Sequence, residues 1–191
     1  MFKRFYSLVP ALCFTLLVSN GAQAAAPFEQ TTTVAGVALK LNGSGIRYKA
    51  IFKVYEMGMY LREPVKTADA AIALDGPKKL SFVALRKVSG TDLGVAFMRG
   101  MNDNTPREIG RKYIAETTQL IAIFSGKNSM QPGETFAMEY VPGRGTTFFI
   151  QGQPQGAALG DAEFFEMVLR IWLGPSPADW RLKEALLSAK T

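Results

Sequence analysis

The order of two hydrophobic periodicities along the 191 residues constrains the fold of this chain most. Patterns typical of strands occupy the first half, at residues 31–34, 37–41, 46–55 and 79–88. Two helices follow, at about residues 89–101 and 105–126, with a break at 102–104 between them. A hairpin at 135–151 and two more helices at 161–173 and 180–187 complete the order. Strands and helices do not alternate one for one, so we expect an α+β domain with a mainly antiparallel sheet.

Local signals place the ends of these elements. Short turns are predicted at residues 35–36, 42–45 and 142–145, where glycine and other turn-forming residues cluster. Residues 105–108, Thr-Pro-Arg-Glu, have the pattern of a capping box, with proline at the first helical position. Gly126 and Gly174 are typical helix stops, and residues 176–179 predict the cap of the last helix.

The N-terminal 24 residues predict a secretory signal peptide. A basic start at Lys3 and Arg4 precedes an apolar run at 6–18, and Ala-Gln-Ala at 22–24 is typical of a cleavage site. The apolar run has about 13 residues, fewer than the roughly 20 needed to span a bilayer. We therefore expect residues 25–191 to form a single periplasmic domain without a transmembrane segment.

Composition excludes several kinds of chemistry. The chain has no histidine, and its one cysteine, Cys13, lies in the predicted signal peptide. Histidine-dependent nucleophile systems and the usual zinc and copper sites are therefore excluded, and we predict no metal and no cofactor. Without Lys3 and Arg4, 20 of the 22 cations face 16 anions, and they are scattered. This charge predicts no nucleic-acid partner, and the sequence leaves the oligomeric state open.

The segment GSGIRYKAIFKVYEMGMYL, residues 43–61, raises a specific question about Arg47. Its first half alternates and predicts one half-buried strand. Arg47 is then either a surface cation or an arginine that points into an apolar cavity. A guanidinium and the Tyr55 hydroxyl would suit one acidic head group with an apolar tail. Along a straight strand the two residues would lie about 26 Å apart, so joint binding requires a turn near residues 49–52.

This segment and the C-terminal VLRIWLGPSPADWRLKEALL resemble the chalcone isomerase superfamily. The likeness is strongest to exported bacterial chalcone isomerase-like proteins and covers most of residues 25–191. It implies an open-faced β-sandwich, in which a large, mainly antiparallel sheet packs against a layer of helices and the ligand lies between them. By likeness to the superfamily's fatty-acid binders, Arg47 and Tyr55 are implied as ligand-binding residues.

The same resemblance argues against chalcone isomerisation. True isomerases carry threonine where this chain has Tyr55, and their catalytic tyrosine and asparagine fall on Leu93 and Gly100. A substrate-discriminating threonine or serine falls on Ile171. We therefore expect a non-catalytic binder of a fatty acid or similar amphipathic carboxylate. Two alternatives stay open: an isomerase or lyase acting on an enone or phenolic substrate, with Arg47 stabilising an oxyanion, and an interaction module without a small ligand.

Overall fold

The structure, a computed structural model, describes residues 28–189, so the predicted signal peptide lies outside the described residues. One sheet contains seven strands: β1 (Thr31–Val34), β2 (Val37–Lys49), β3 (Phe52–Leu61), β4 (Lys78–Ala84), β7 (Thr135–Val141), β8 (Gly145–Ile150) and β9 (Gln153–Pro154). Their order is β1-β2-β3-β4-β7-β8-β9, and every neighbouring pair is antiparallel. A separate ribbon pairs β5 (Val88–Ser89) with β6 (Ser129–Met130).

In the described part of the chain, six helices accompany the sheet: α1 (Ala68–Ala73), α2 (Gly90–Asn104), α3 (Arg107–Lys112), α4 (Ile114–Ser125), α5 (Ala162–Leu173) and α6 (Trp180–Leu186). Helix α5 is the most deeply buried, with eight of its twelve residues in the core. Helix α2 packs against α4 and α5, and α6 packs against β2. Among residues 28–189, no helix has the length and apolar character needed to cross a bilayer.

Two apolar clusters cover the two faces of the curled sheet. The larger one joins side chains of β3, β4, β7 and β8 to the helices, and aromatic rings fill its centre. The smaller one contains four buried residues: Phe28, Val34, Leu39 and Tyr60. The predicted α+β class and the large antiparallel sheet packed against helices are therefore confirmed.

Elements with strong local signals form where the sequence predicts them. The β1–β2 hairpin turns at Ala35 and Gly36, both of which have positive φ. Strands β7 and β8 form the predicted second hairpin. Helix α5 begins after Asp161, whose side chain accepts a hydrogen bond from the Phe164 N–H, and ends at Gly174. These boundaries depend on turn and cap chemistry within a few residues, which the sequence alone specifies.

The prediction of one continuous strand over residues 46–55 is wrong. Lys49 pairs with Phe52, so a two-residue turn at Ala50 and Ile51 divides this segment between β2 and β3. The alternating pattern hid the turn because no glycine or asparagine marks it. Ala50 instead adopts a positive φ of 54° at this turn. The chain then continues as β3, and beyond the turn the side chains on both faces of this strand are buried.

The predicted turn at residues 42–45 is also wrong, since these residues lie within β2. A register shift occurs between Leu41 and Gly43, so Asn42 occupies a bulge. The Asn42 side chain donates to the Val65 and Leu186 carbonyls and accepts from the Val65 N–H, at 2.7–3.0 Å. It therefore ties β2 to the segment after β3 and to α6.

The two glycines of this stretch allow close packing instead of turning the chain. A Cβ added at Gly43 would lie 2.2 Å from the Ala185 carbonyl oxygen, and one at Gly45 would lie 2.7 Å from the Ala185 Cβ. Only a strand without side chains at these positions lets α6 approach so closely.

The capping box predicted at residues 105–108 does not form. Thr105 is the C-cap of α2, and α3 starts after Pro106 without a side-chain cap. The expected long helix is divided at Tyr113, where α3 ends and α4 begins. The Tyr113 hydroxyl donates to Asp161 at 2.5 Å, which ties this break to the first turn of α5.

Candidate functional site

The turn at Ala50 and Ile51 brings Arg47 and Tyr55 together. The two residues are direct partners across β2 and β3, so the turn needed for them to share one site is present. The guanidinium carbon of Arg47 lies 5.7 Å from the centre of the Tyr55 ring. This is within the range of a cation–π contact, so the ring supports the position of the guanidinium.

The Tyr55 hydroxyl lies in the core beneath α5. The residue is 3% exposed, and its oxygen accepts a hydrogen bond from Trp172 Nε1 at 2.7 Å. Its ring makes edge-on contacts with Phe82 and Phe136, with centroids 5.4 and 6.1 Å away. Burial raises the pKa of Tyr55 to about 12, although the Arg47 charge and the Trp172 hydrogen bond oppose that rise. Tyr55 is therefore a neutral group that joins Arg47 to the core.

The raised pKa of Tyr55 predicts a specific loss of stability at alkaline pH. The folded state holds the Tyr55 proton up to about pH 12, whereas an unfolded tyrosine releases it near pH 10. Stability is therefore fully present below pH 10 and falls by about 2–3 kcal/mol as pH rises to 12. We expect urea unfolding at pH 8, 10 and 11.5 to show a smaller fall for Tyr55→Phe than for the wild type. Equal falls in both proteins would contradict this assignment.

Arg47 lines a pocket of about 420 Å³ at the edge of the sandwich. The ends of β2 and β3, the loop between β4 and β5, and the first turns of α2 form its wall. Three other pockets in the described residues have similar volumes of about 410–440 Å³, so the lining of this pocket and not its size marks it as the candidate site. Part of the wall is apolar and consists of Val54, Val88, Leu93, Val95 and Ala96.

The pocket is strongly basic. Its cations are Arg47, Lys49, Arg86, Lys87 and Arg99. Asp92 is the one carboxylate among the described lining residues. The ion pairs found within residues 28–189 involve Lys79, Lys112 and Lys127 and none of these five cations. The N-terminus of α2, capped by Ser89, adds the positive end of a helix dipole. The pocket therefore favours an anionic ligand.

Below Arg47 the space between sheet and helices is filled. Trp172 is fully buried, and its ring lies 5.3 Å from Phe82 and 5.6 Å from Phe97 between centroids. The pocket therefore occupies the mouth of the space between sheet and helices, above an aromatic floor that contains the Tyr55 hydroxyl.

Sequence reasoning missed most of this site. Arg86 and Lys87 lie in a segment predicted as strand, but they form the loop between β4 and β5. Arg99 lies on α2, and no short motif links it to Arg47. A basic dipeptide near the end of the predicted strand was the one available signal, and it is common on ordinary surfaces.

Of the three positions that the resemblance matches to isomerase residues, Leu93 lines the pocket. Gly100 and Ile171 pack against each other, since a Cβ added at Gly100 would lie 2.9 Å from Ile171 Cγ2. None of the three side chains can donate or accept a proton. No cluster of three or more histidine, cysteine or acidic residues that could hold a metal occurs within residues 28–189.

The architecture defines the class of the protein, an open-faced sandwich with a basic pocket at its mouth. A family model described as chalcone isomerase-like matches residues 21–188. The chain therefore belongs to the chalcone isomerase-like family.

Among solved structures, the chain is similar to the crystal structure of a fatty-acid binding protein from Arabidopsis thaliana. The sequences are 15% identical, the match covers 84% of this chain and 91% of that chain, and the TM-score is 0.67. At this identity the likeness shows the fold alone. A comparison with curated proteins gives no match.

Proposed function

We propose that this protein is a non-catalytic, periplasmic binding protein for a fatty acid or a similar amphipathic carboxylate. The observation that carries the proposal is Arg47, a half-buried guanidinium in a basic pocket with an apolar wall. Arginine binds a carboxylate through two parallel hydrogen bonds, and apolar side chains beside it suit an acyl chain. The periplasmic location rests on the signal peptide predicted at residues 1–24.

In this proposal Arg47 and Tyr55 have different roles. Arg47 is the group that contacts the carboxylate. Tyr55 is a positioning residue, since its ring lies beside the guanidinium while its hydroxyl is held by Trp172. The fatty-acid binding protein from Arabidopsis thaliana with the same fold is consistent with such a ligand.

The test is a titration of dodecanoate into the wild type and three variants. We expect Arg47→Ala to bind at least tenfold more weakly, because a charge-assisted hydrogen bond contributes about 1.5–3 kcal/mol. Arg47→Lys keeps the charge without the planar fork and should lie between the two. Arg107→Ala, which removes an exposed arginine on α3, serves as the matched control and should bind like the wild type.

Three further measurements separate the charge from the acyl chain and the binding function from catalysis. Dodecanol has the same chain without the carboxylate, so we expect it to bind weakly and to the same extent in all four proteins. Lipid mass spectrometry of the purified protein identifies any acid that copurifies.

Equal dodecanoate affinity in the wild type and Arg47→Ala would refute the site, and no binding by the wild type would refute the function. Turnover of a chalcone panel above the buffer rate would instead support the isomerase alternative.

A further inference from the structure

The tip of the β2–β3 hairpin, residues 49–53, exposes two large apolar side chains next to each other. Ile51 is 84% exposed and Phe52 is 55% exposed. Single exposed apolar residues are ordinary on protein surfaces, but these two are consecutive and project at the end of a hairpin. They make this tip an unusual feature of the surface.

The turn itself has an unusual sequence. Two-residue hairpin turns favour glycine, asparagine and aspartate, because these residues adopt positive φ with little strain and are polar. Here Ala50 has a φ of 54°, and the next residue is Ile51. Neither residue is what the turn geometry or contact with water would favour. A role other than forming the turn therefore explains these two residues better than turn formation does.

Cations surround the two apolar side chains. Lys49 and Lys53 flank them in the hairpin, and the Arg86 guanidinium carbon lies 5.0 Å from the centre of the Phe52 ring. None of these cations takes part in the ion pairs found within residues 28–189.

The carboxylate that caps α6 is already engaged. Asp179 accepts hydrogen bonds from the Tyr48 N–H on β2 and from the Arg181 and Leu182 N–H groups of its own helix. It therefore does not neutralise the cations of the tip through an ion pair.

We propose that the β2–β3 tip docks on the surface of an anionic phospholipid bilayer. Ile51 and Phe52 enter the head-group region, while Lys49, Lys53 and Arg86 contact lipid phosphates. An apolar projection within a basic surround is the combination that binds such an interface, since it joins apolar burial to attraction by anionic lipid. A protein partner would need an apolar recess surrounded by acidic side chains, whereas an anionic bilayer supplies an apolar interior and negative charge over its whole surface.

The tip also lies beside the pocket, because Lys49 of the tip lines it, as does Arg86, whose guanidinium lies against the Phe52 ring. A docked protein would hold the pocket mouth against the lipid surface, so an amphipathic acid could pass between membrane and pocket. This consequence rests on the proposed function, whereas docking itself does not.

The test measures cosedimentation of the purified protein with two kinds of vesicle. One contains phosphatidylcholine alone, and the other contains about one third phosphatidylglycerol. We expect binding to the anionic vesicles that weakens with added salt. Ile51→Ser with Phe52→Ser should lower this binding at least tenfold, and Lys53→Gln should lower it about fivefold. Mass spectrometry of the intact protein shows whether residues 1–24 are still attached. The wild type and all variants are compared in the same form.

Matched controls come from elsewhere on the surface. Ile114 is 62% exposed on α4, so Ile114→Ser removes a similar apolar side chain far from the tip in sequence. Lys66→Gln removes an exposed lysine outside the hairpin. Both controls should bind vesicles like the wild type. Circular dichroism and thermal unfolding establish that every variant is folded.

Either of two results would overturn the docking proposal. One is equal binding of the wild type to neutral and anionic vesicles, or to neither. The other is unchanged binding by folded Ile51→Ser with Phe52→Ser. Because no fatty acid is present in this assay, docking can fail while the dodecanoate titration succeeds, and the reverse also holds.

Discussion

Replacing Trp172 with alanine should lower the free energy of unfolding by about 4 kcal/mol, as measured by urea denaturation at pH 7. The side chain is fully buried and contacts the rings of Phe82 and Phe97. Its removal would leave a large cavity in the centre of the core, and the Tyr55 hydroxyl would lose its hydrogen-bond donor.

The second tryptophan of the chain provides the control. Trp180 is 60% exposed at the start of α6, so Trp180→Ala should change stability by no more than about 0.5 kcal/mol. Trp172→Phe keeps most of the ring but loses the N–H group, and it should fall between the two. If Trp172→Ala and Trp180→Ala had equal effects, the aromatic floor of the site would be wrongly described.

Gly43→Ala should destabilise the fold by about 3 kcal/mol, at the upper end of the cost of overpacking. The added Cβ would lie 2.2 Å from the Ala185 carbonyl oxygen and 2.7 Å from that of Leu186, both of which are backbone atoms. Because neither can move without shifting α6, the strand and the helix must separate. Thermal unfolding of the variant measures this cost directly.

Ser44 lies between the two glycines and is the natural control for this prediction. It is half-buried in β2, and it already carries a Cβ. Ser44→Ala should therefore change the unfolding free energy by less than about 0.5 kcal/mol. A mild effect of Gly43→Ala, comparable to that of Ser44→Ala, would contradict the close approach of α6 to β2.

The sequence predicted the elements whose ends depend on local chemistry. The Ala35-Gly36 hairpin, the start of α5 after Asp161 and its end at Gly174 all follow from residues within one turn. The predictions were wrong where a contact with a distant part of the chain, and not the local turn chemistry, required a residue. Gly43 and Gly45 were interpreted as turn residues, but the contact that requires them involves α6, about 140 positions away.

The fold and the family became predictable only through the resemblance. The order of strands and helices indicates an antiparallel α+β domain, but many topologies satisfy it. The motif around Arg47 predicted the sheet packed against helices, and the structure and the family match confirm that prediction. The basic pocket could not be predicted, because its residues converge from β2, the loop after β4 and α2.

The hydrogen bond between Trp172 and Tyr55 joins residues 117 positions apart, and this separation sets an order of assembly. The β2–β3 hairpin pairs residues that are close in sequence, so Arg47 and Tyr55 can meet early in folding. The floor beneath them is completed only when α5 docks on the sheet and brings Trp172 to Tyr55 and Phe82. A chain in which α5 has not yet docked would expose these two rings, so α5 is an element that protects the sheet from aggregation.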